Sequence, residues 1–303
     1  MTSPSVSVIV ATRDRPQLLR RAVASILAQR YDGPLEVIAV FDQSEPDEDL
    51  ARAGRDRSVR VIANTHKPGL PGGRNSGLDE TDRDLIAFCD DDDLWLPEKL
   101  AAQVALLEAN PGMEVATTGL LVAYKNRVVP RVLDREVITL PELARSRVME
   151  AHPSTYLAWR SAAAEIGPVD EAIPGGYAED WDWLLRAARR ADVGAVMLPL
   201  VKVFWHRSSY FSERWQMIAD ASDYMIGKHP EINDDEVGLA NVLGLKSIAL
   251  DALGRRSEGR ETARRALRLD RRCKRAMVGL ACSSPVLRPE QVMKVLQARG
   301  RGI

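Results

Sequence analysis

The chain has 303 residues, 45% of them hydrophobic and 28% charged, the balance of a soluble globular protein with one large domain or two smaller ones. No apolar run approaches the ~18 residues of a membrane-spanning helix, and "MTSPSVSVIVATRDRP" lacks the basic-then-apolar order of a secretory signal. Cys89, Cys273 and Cys282 show neither metal-site spacing nor a disulfide framework, so a reducing cytoplasm is the expected location.

The first part alternates strand and helix patterns. "SVSVIVA" is a short β-branched run, as in a strand buried in a parallel sheet. In "RPQLLRRAVASILAQ", Leu18, Leu19, Ala22, Val23, Ile26 and Leu27 share one helical face; Pro16 suits the first turn and Asp14 is expected to cap it. "LEVIAVF" and "VRVIAN" read as further strands, "GGRNSGLDE" as a short helix, "DLIAFC" as a fourth strand, and Pro97 as the opening of the helix "PEKLAAQVALLEAN". After residue 110 "EVATTGLLVAYKN" and "STYLAWR" read as strands, "AEDWDWLLRAARRA" as a helix and "AVMLPLVKVFWHR" as a broken strand pair. The expected fold class is therefore α/β, a mostly parallel sheet flanked by helices. In such a sheet ligands sit beyond the carboxyl ends of the strands, where "TRD", "DQSEPD" and the run Asp90–Asp93 fall.

From about Ser212 the pattern is all-helical, and "GRRSEGRETARRALRLD" resembles half of a tetratricopeptide-type hairpin. The expected domains are residues 1–210 and a helical region, residues 211–303. Residues 241–303 hold 15 Lys+Arg and 5 Asp+Glu, a local +10 against −11 for the remainder. A basic tail of this kind fits a peripheral contact with an anionic membrane at its inner face, a homodimer, or a solvated Arg-rich surface. It has no aromatic interleaving or DNA-binding helix pair, so no nucleic-acid partner is expected.

The four aspartates Asp90–Asp93 end a core strand. One or two would serve as a solvated turn; four like charges together favour a bound divalent cation, Mg²⁺ or Mn²⁺.

Taken in order, "SVSVIVATRDRPQLLRRAVASILAQ", "LEVIAVFDQSEPD", "GLPGGRNSGL", "LIAFCDDDDLWLPEKL" and "GGYAEDWDWLLRA" resemble a family 2 glycosyltransferase of the GT-A, Rossmann-like fold, over about residues 5–207. The resemblance implies inverting transfer from a nucleotide-diphosphate sugar, a UDP-sugar foremost, with a divalent cation. Its Asp-x-Asp element matches Asp90-Asp91-Asp92: Asp92 is implied as metal ligand, and Asp91 or Asp90 as the group reaching the ribose or a metal-bound water. The loop "ATRDRP" is implied to hold the base, with Thr12, Arg13 and Asp14; Arg13 offers a planar guanidinium for stacking. Asp42 matches the aspartate that receives the base, although Phe41 and Gln43 depart from the family's Asp-Asp-Gly-Ser. Arg74 is implied to touch a phosphate or to support the aspartate run, a structural ion pair being the plainer reading. Asp180 matches the general base, with Glu179 and Asp182 as neighbours that confuse the assignment, and His206 falls where relatives complete the metal site. His152 reads as structural.

The rival readings are a sugar nucleotidyltransferase and a non-catalytic module that kept the fold. The first wants a glycine-rich loop where "TRDRPQ" stands. The second would have lost the aspartate run or Asp180. The expected acceptor is a glycan, a lipid-linked chain or a small molecule.

Overall fold

The computed structural model describes residues 3–124, 127–204 and 214–283. Ten strands form one sheet: β1 (Val6–Thr12), β2 (Leu35–Phe41), β3 (Arg57–Ala63), β4 (Leu85–Phe88), β5 (Leu94–Trp95), β6 (Val115–Tyr124), β7 (Arg127–Arg131), β8 (Val137–Ile138), β9 (Leu157–Trp159) and β10 (Val193–Phe204). Their order is β3-β2-β1-β4-β9-β6-β10-β5, with β7 on β6 and β8 on β10. β3, β2, β1 and β4 are parallel. The three-residue β9 runs antiparallel to both β4 and β6, which restores β6 and β10 to the direction of β4.

The helices are α1 (Pro16–Leu27), α2 (Leu70–Asp79), α3 (Lys99–Ala109), α4 (Leu140–Arg145), α5 (Arg160–Ile166), α6 (Glu179–Ala188), α7 (Trp215–Lys228), α8 (Pro230–Asp234), α9 (Glu236–Ala252), α10 (Arg256–Leu269) and α11 (Lys274–Cys282). Two compact units result. One holds the chain up to Leu140, Val148–Glu171 and the stretch beginning at Glu179. The other holds Pro141–Arg147, Ala172–Ala178 and the described residues from Arg214 on, where all regular structure is helical. No described helix is long and apolar enough to cross a membrane.

Several local expectations are corrected. "AVMLPLVKVF" is not a broken pair but part of the single strand β10; its register against β6 shifts on both sides of Pro199, because proline cannot donate to the ladder. Asp14 does not cap α1: Arg15 is the residue before the helix, no side chain caps it, and Asp14 has a positive φ of 54°. Pro97 precedes α3 by two residues rather than opening it, in a turn closed by Lys99 N–H donating to the Leu96 carbonyl. "STYLAWR" supplies only β9 before α5 begins at Arg160.

The core of the sheet unit is made by the faces of β1, β2 and β4 with Leu19, Val23 and Ile26 of α1 and Leu100, Val104 and Leu107 of α3. Close approach of α2 to β1 depends on glycine: a Cβ at Gly77 would lie 2.4 Å from Ile9 Cγ2. One buried group is costly. Lys99 is fully buried, its Nζ has no hydrogen-bond partner and stands 3.8 Å from the Trp95 ring centroid. Burial pushes its ammonium down to about 7. Below that value both the folded and unfolded chains carry the proton and the desolvation cost is complete; from there to the unfolded lysine range the unfolded chain binds more protons, so stability rises with pH. Lys99→Met is expected to stabilise the protein by roughly 2–5 kcal/mol near pH 6, the Trp95 contact offsetting part of the gain. The gain should fade as pH approaches the ordinary lysine range. A melting temperature that the substitution leaves unchanged or lowers at pH 6 would contradict this.

Candidate active site

β2, β1 and β4 are adjacent and parallel, so their carboxyl ends share one edge of the sheet. Thr12 is the last residue of β1, Asp42 follows β2, and Asp90 comes two residues after β4. The expected site residues Thr12, Asp42, Arg74, Asp90, Asp91 and Asp92 are thereby collected at this edge from four separate segments.

The aspartates do not share one environment. Thr12 Oγ1 donates to Asp91 Oδ2 at 2.7 Å. Arg15 Nη1 reaches Asp91 Oδ1 at 3.1 Å and Asp92 Oδ2 at 3.2 Å. Asp93 is almost wholly buried and receives Ser154 Oγ at 2.6 Å, while the same hydroxyl accepts the Asp90 N–H at 3.0 Å. His152 lies with Nδ1 3.4 Å from Asp93 Oδ2 and Nε2 3.8 Å from Asp90 Oδ2. Burial first, and then the mutual repulsion of the run, holds the carboxyls of Asp92 and Asp93 above the usual range. Burial likewise raises Asp91, with Thr12 and Arg15 opposing. Negative charge concentrated this way is relieved by a bound cation.

Arg74 stands behind the run. It is buried, its Nη2 donates to Asp90 Oδ1 at 2.6 Å, and its Nη1 donates to Glu179 Oε1. Burial alone would push this guanidinium down, but Glu179, Asp90 and Asp180 more than offset it and raise it. The plane of Arg74 also lies over Phe88, 5.4 Å from the ring centroid. Glu179 opens α6, and Asp180 follows in its first turn, where the helix dipole favours carboxylates. Glu179 and Asp182, the neighbours that confuse the assignment in the sequence, are both buried like Asp180, and each has a cationic partner. Asp182 accepts from Arg186 at 3.0 Å, one turn on. Trp183 anchors the helix, edge-on to Phe88 and stacked on Tyr156.

Asp42 lies in a small polar pocket. Its Oδ1 accepts from Asn64 Nδ2 at 2.8 Å, and its Oδ2 accepts from Gly69 N–H at 3.0 Å and Gln43 Nε2 at 3.1 Å. Arg13 and Asp14 sit apart from this cluster on the exposed loop after β1, 3.8 Å from one another. His206 lies outside the described residues.

Residues 7–138 match the family described as glycosyl transferase family 2. Residues 7–138 belong to that family. The curated relatives include the succinoglycan biosynthesis protein ExoW of Rhizobium meliloti (strain 1021), 37% identical over 98 residues, 31% of this chain and 30% of the relative. They also include a GalNAc(5)-diNAcBac-PP-undecaprenol beta-1,3-glucosyltransferase of Campylobacter jejuni, 34% identical over 113 residues, 36% of each chain. The match thus spans about a third of either relative. Among solved structures, S. aureus TarS 1-349 in complex with UDP-GlcNAc superposes with a TM-score of 0.64 at 17% identity, over 98% of this chain and 92% of that one. The mannosyltransferase PcManGT of Pyrobaculum calidifontis, in complex with GDP-Man and Mn²⁺, gives 0.55 at 17%, over 97% and 84%. These two likenesses establish the glycosyltransferase fold.

The strand-end edge offers a donor set for a cation. Ligand atoms of Asp90, Asp93 and His152 lie within 4.8 Å of one another; the carboxylate oxygens suit Mg²⁺ or Mn²⁺, while the imidazole nitrogen is a ligand that transition ions accept more readily than Mg²⁺. Asp92, the ligand the family resemblance implies, stands beside this group with one oxygen held by Arg15. His152, read from the sequence as structural, therefore faces the aspartate run. Arg15, Ser154 and Asn64 also belong to the site and were not singled out. Arg15 lies in "ATRDRP", Asn64 ends "VRVIAN" and Ser154 opens "STYLAWR", but no periodicity or spacing joins Ser154 to residues 90–93.

Proposed function

We propose that the chain is an inverting glycosyltransferase that moves a sugar from a nucleotide-diphosphate sugar, a UDP-sugar foremost, to a hydroxyl of a glycan or lipid-linked acceptor. The observation that carries this reading is the convergence of Asp42, the Asp90–Asp93 run and the first turn of α6 at one edge of a family 2 sheet. The relatives named as acting on undecaprenol-linked sugars support the acceptor class.

Each residue has a chemical task. Asp42, oriented by Asn64 and Gly69, accepts a hydrogen bond from the base, and Thr12 and Asp91 line the space toward the ribose. Asp92, with Asp90, Asp93 and His152 around it, would hold a divalent cation. The cation, when bound, neutralises the diphosphate and so improves it as a leaving group. Arg74 acts behind them as a positioning residue, fixing Asp90 against α6. Asp180 takes the proton of the attacking acceptor hydroxyl, since a single displacement needs one such base.

The testing experiment is calorimetric. UDP is expected to bind in the presence of Mn²⁺ and to lose measurable affinity in EDTA or after Asp92→Ala. Equal affinity under all three conditions would remove the metal assignment, and no binding of any nucleoside diphosphate would remove the donor class. His152→Ala is expected to weaken Mn²⁺-supported binding by about 10–100-fold, the range typical of groups supporting a metal site.

A further inference from the structure

We propose that the outer face of the ribbon formed by β6 and β7 docks on an anionic lipid bilayer. Register decides which residues share that face: Val128 pairs with Ala123 and Pro130 with Leu121, and Val132 continues the alternation. All five are apolar. Val128 and Val132 are 52% and 37% exposed, Pro130 is exposed, and Leu121 and Ala123 are only half-buried. Eight large hydrophobics are exposed among the described residues; two of them, Val128 and Val132, lie on this face, and Val129, which pairs with Val122, points to the other face of the same ribbon. Single exposed apolar residues are ordinary, but a contiguous set on one sheet face marks an interaction surface.

Charge identifies the occupant. On the neighbouring strand β10, Lys202 Nζ lies 5.1 Å from the centroid of the Phe204 ring, and the Arg21 guanidinium, from α1, lies 5.4 Å from it; Phe204 pairs with Ala123 of the ribbon. None of the five residues of this face is charged. An apolar patch with a cationic and aromatic rim matches the boundary between acyl chains and anionic headgroups. A second copy adding a strand is disfavoured, because Pro130 cannot donate from the exposed edge.

Position gives the docking a purpose. β6 runs in the direction of β4, through the antiparallel β9, so the ribbon extends from the strand-end edge that carries Asp42 and the aspartate run. A bilayer held there would present a lipid-linked acceptor at the site; that consequence rests on the glycosyltransferase reading, whereas the surface does not.

The test is co-sedimentation of the full chain with phosphatidylglycerol–phosphatidylcholine vesicles, with phosphatidylcholine vesicles as comparison. The wild-type protein should sediment with the anionic vesicles, less so as salt rises. Val128→Asp with Val132→Asp should lower the partition coefficient about tenfold or more while Mn²⁺-supported UDP binding persists. Arg21→Gln with Lys202→Gln, which leaves the apolar face untouched, should remove the preference for anionic vesicles and serves if the aspartate variant does not fold. Arg264→Gln with Arg268→Gln on the exposed side of α10 should leave partitioning unchanged. The proposal is overturned by no vesicle binding in the wild type, by loss of binding in the α10 variant alone, or by a self-association in sedimentation velocity that the valine substitutions dissolve. UDP binding without vesicle binding would leave the enzymatic reading standing.

Discussion

Asp180→Asn is expected to bind nucleotide sugar with near wild-type affinity and to transfer almost none of it. The substitution keeps the shape of the side chain and its capacity to hydrogen bond but removes its basicity. Loss of a general base costs about 10²–10⁴ in rate. Donor affinity should survive, because the groups assigned to the nucleotide lie on β1, β2 and the segment after β4, not on α6. The two neighbouring carboxylates serve as internal controls. Glu179 is engaged by Arg74 and Asp182 by Arg186, so Glu179→Gln and Asp182→Asn should act mainly through stability and retain measurable turnover at low temperature. A near wild-type rate in Asp180→Asn, with either neighbour's variant inactive, moves the base to that neighbour. A product that keeps the donor's anomeric configuration rejects the single displacement itself.

The second large effect concerns Arg74. Its guanidinium bridges α2 to both the aspartate run and the first turn of α6, with Glu179 buried at the far end of the bridge. Arg74→Met removes the guanidinium that faces buried Glu179, and removing one partner of a buried pair costs about 3–5 kcal/mol. For a domain of this size that corresponds to a fall in melting temperature of about 6–20 °C. Adding Glu179→Leu should recover much of the loss, because Asp90, the remaining partner, is partly open to water and can be rehydrated. Equilibrium denaturation of the two variants checks both halves. A loss below about 1 kcal/mol in Arg74→Met, the scale of an exposed pair, would show that the bridge contributes little. Failure of Glu179→Leu to restore stability would show that the cost lies in packing against Phe88 instead.

Much of the architecture could be read from local pattern. The β-branched runs "SVSVIVA" and "LEVIAVF" are β1 and β2, and the helical stripe of Leu19, Val23 and Ile26 is the buried face of α1. Such segments carry their structure in their own pattern: a helix with one buried face needs an apolar stripe, and a strand buried on both faces needs an unbroken apolar, β-branched run. Short or two-sided segments do not. β9 has three residues, β5 and β8 two each, too few for a period to register. β7 reads "RVVPR", whose proline argues against a strand, yet it pairs with β6 at the sheet margin, Pro130 opposite Leu121, the kind of position where a strand tolerates proline.

The sequence by itself determined the family 2 motifs, the placing of four aspartates at a strand end, and the acidic first turn that holds Asp180. These are local features, fixed by chain order and by the position of each strand's carboxyl end. Only the tertiary structure decided which charges meet. Arg74 and Glu179 are 105 positions apart, and Ser154, at Asp93, comes 61 positions after it. Nothing in residue type announces such pairs, since each depends on the register and direction of strands between them. The antiparallel β9 is the clearest case. It runs back beside β4, and the turn ahead of it sets His152 and Ser154 against the aspartate run, so a histidine that reads as structural in the chain becomes part of the site in the fold. The physical reason is that a strand's pairing partner is chosen by burial across the whole sheet, whereas its own residues encode only that it will be buried.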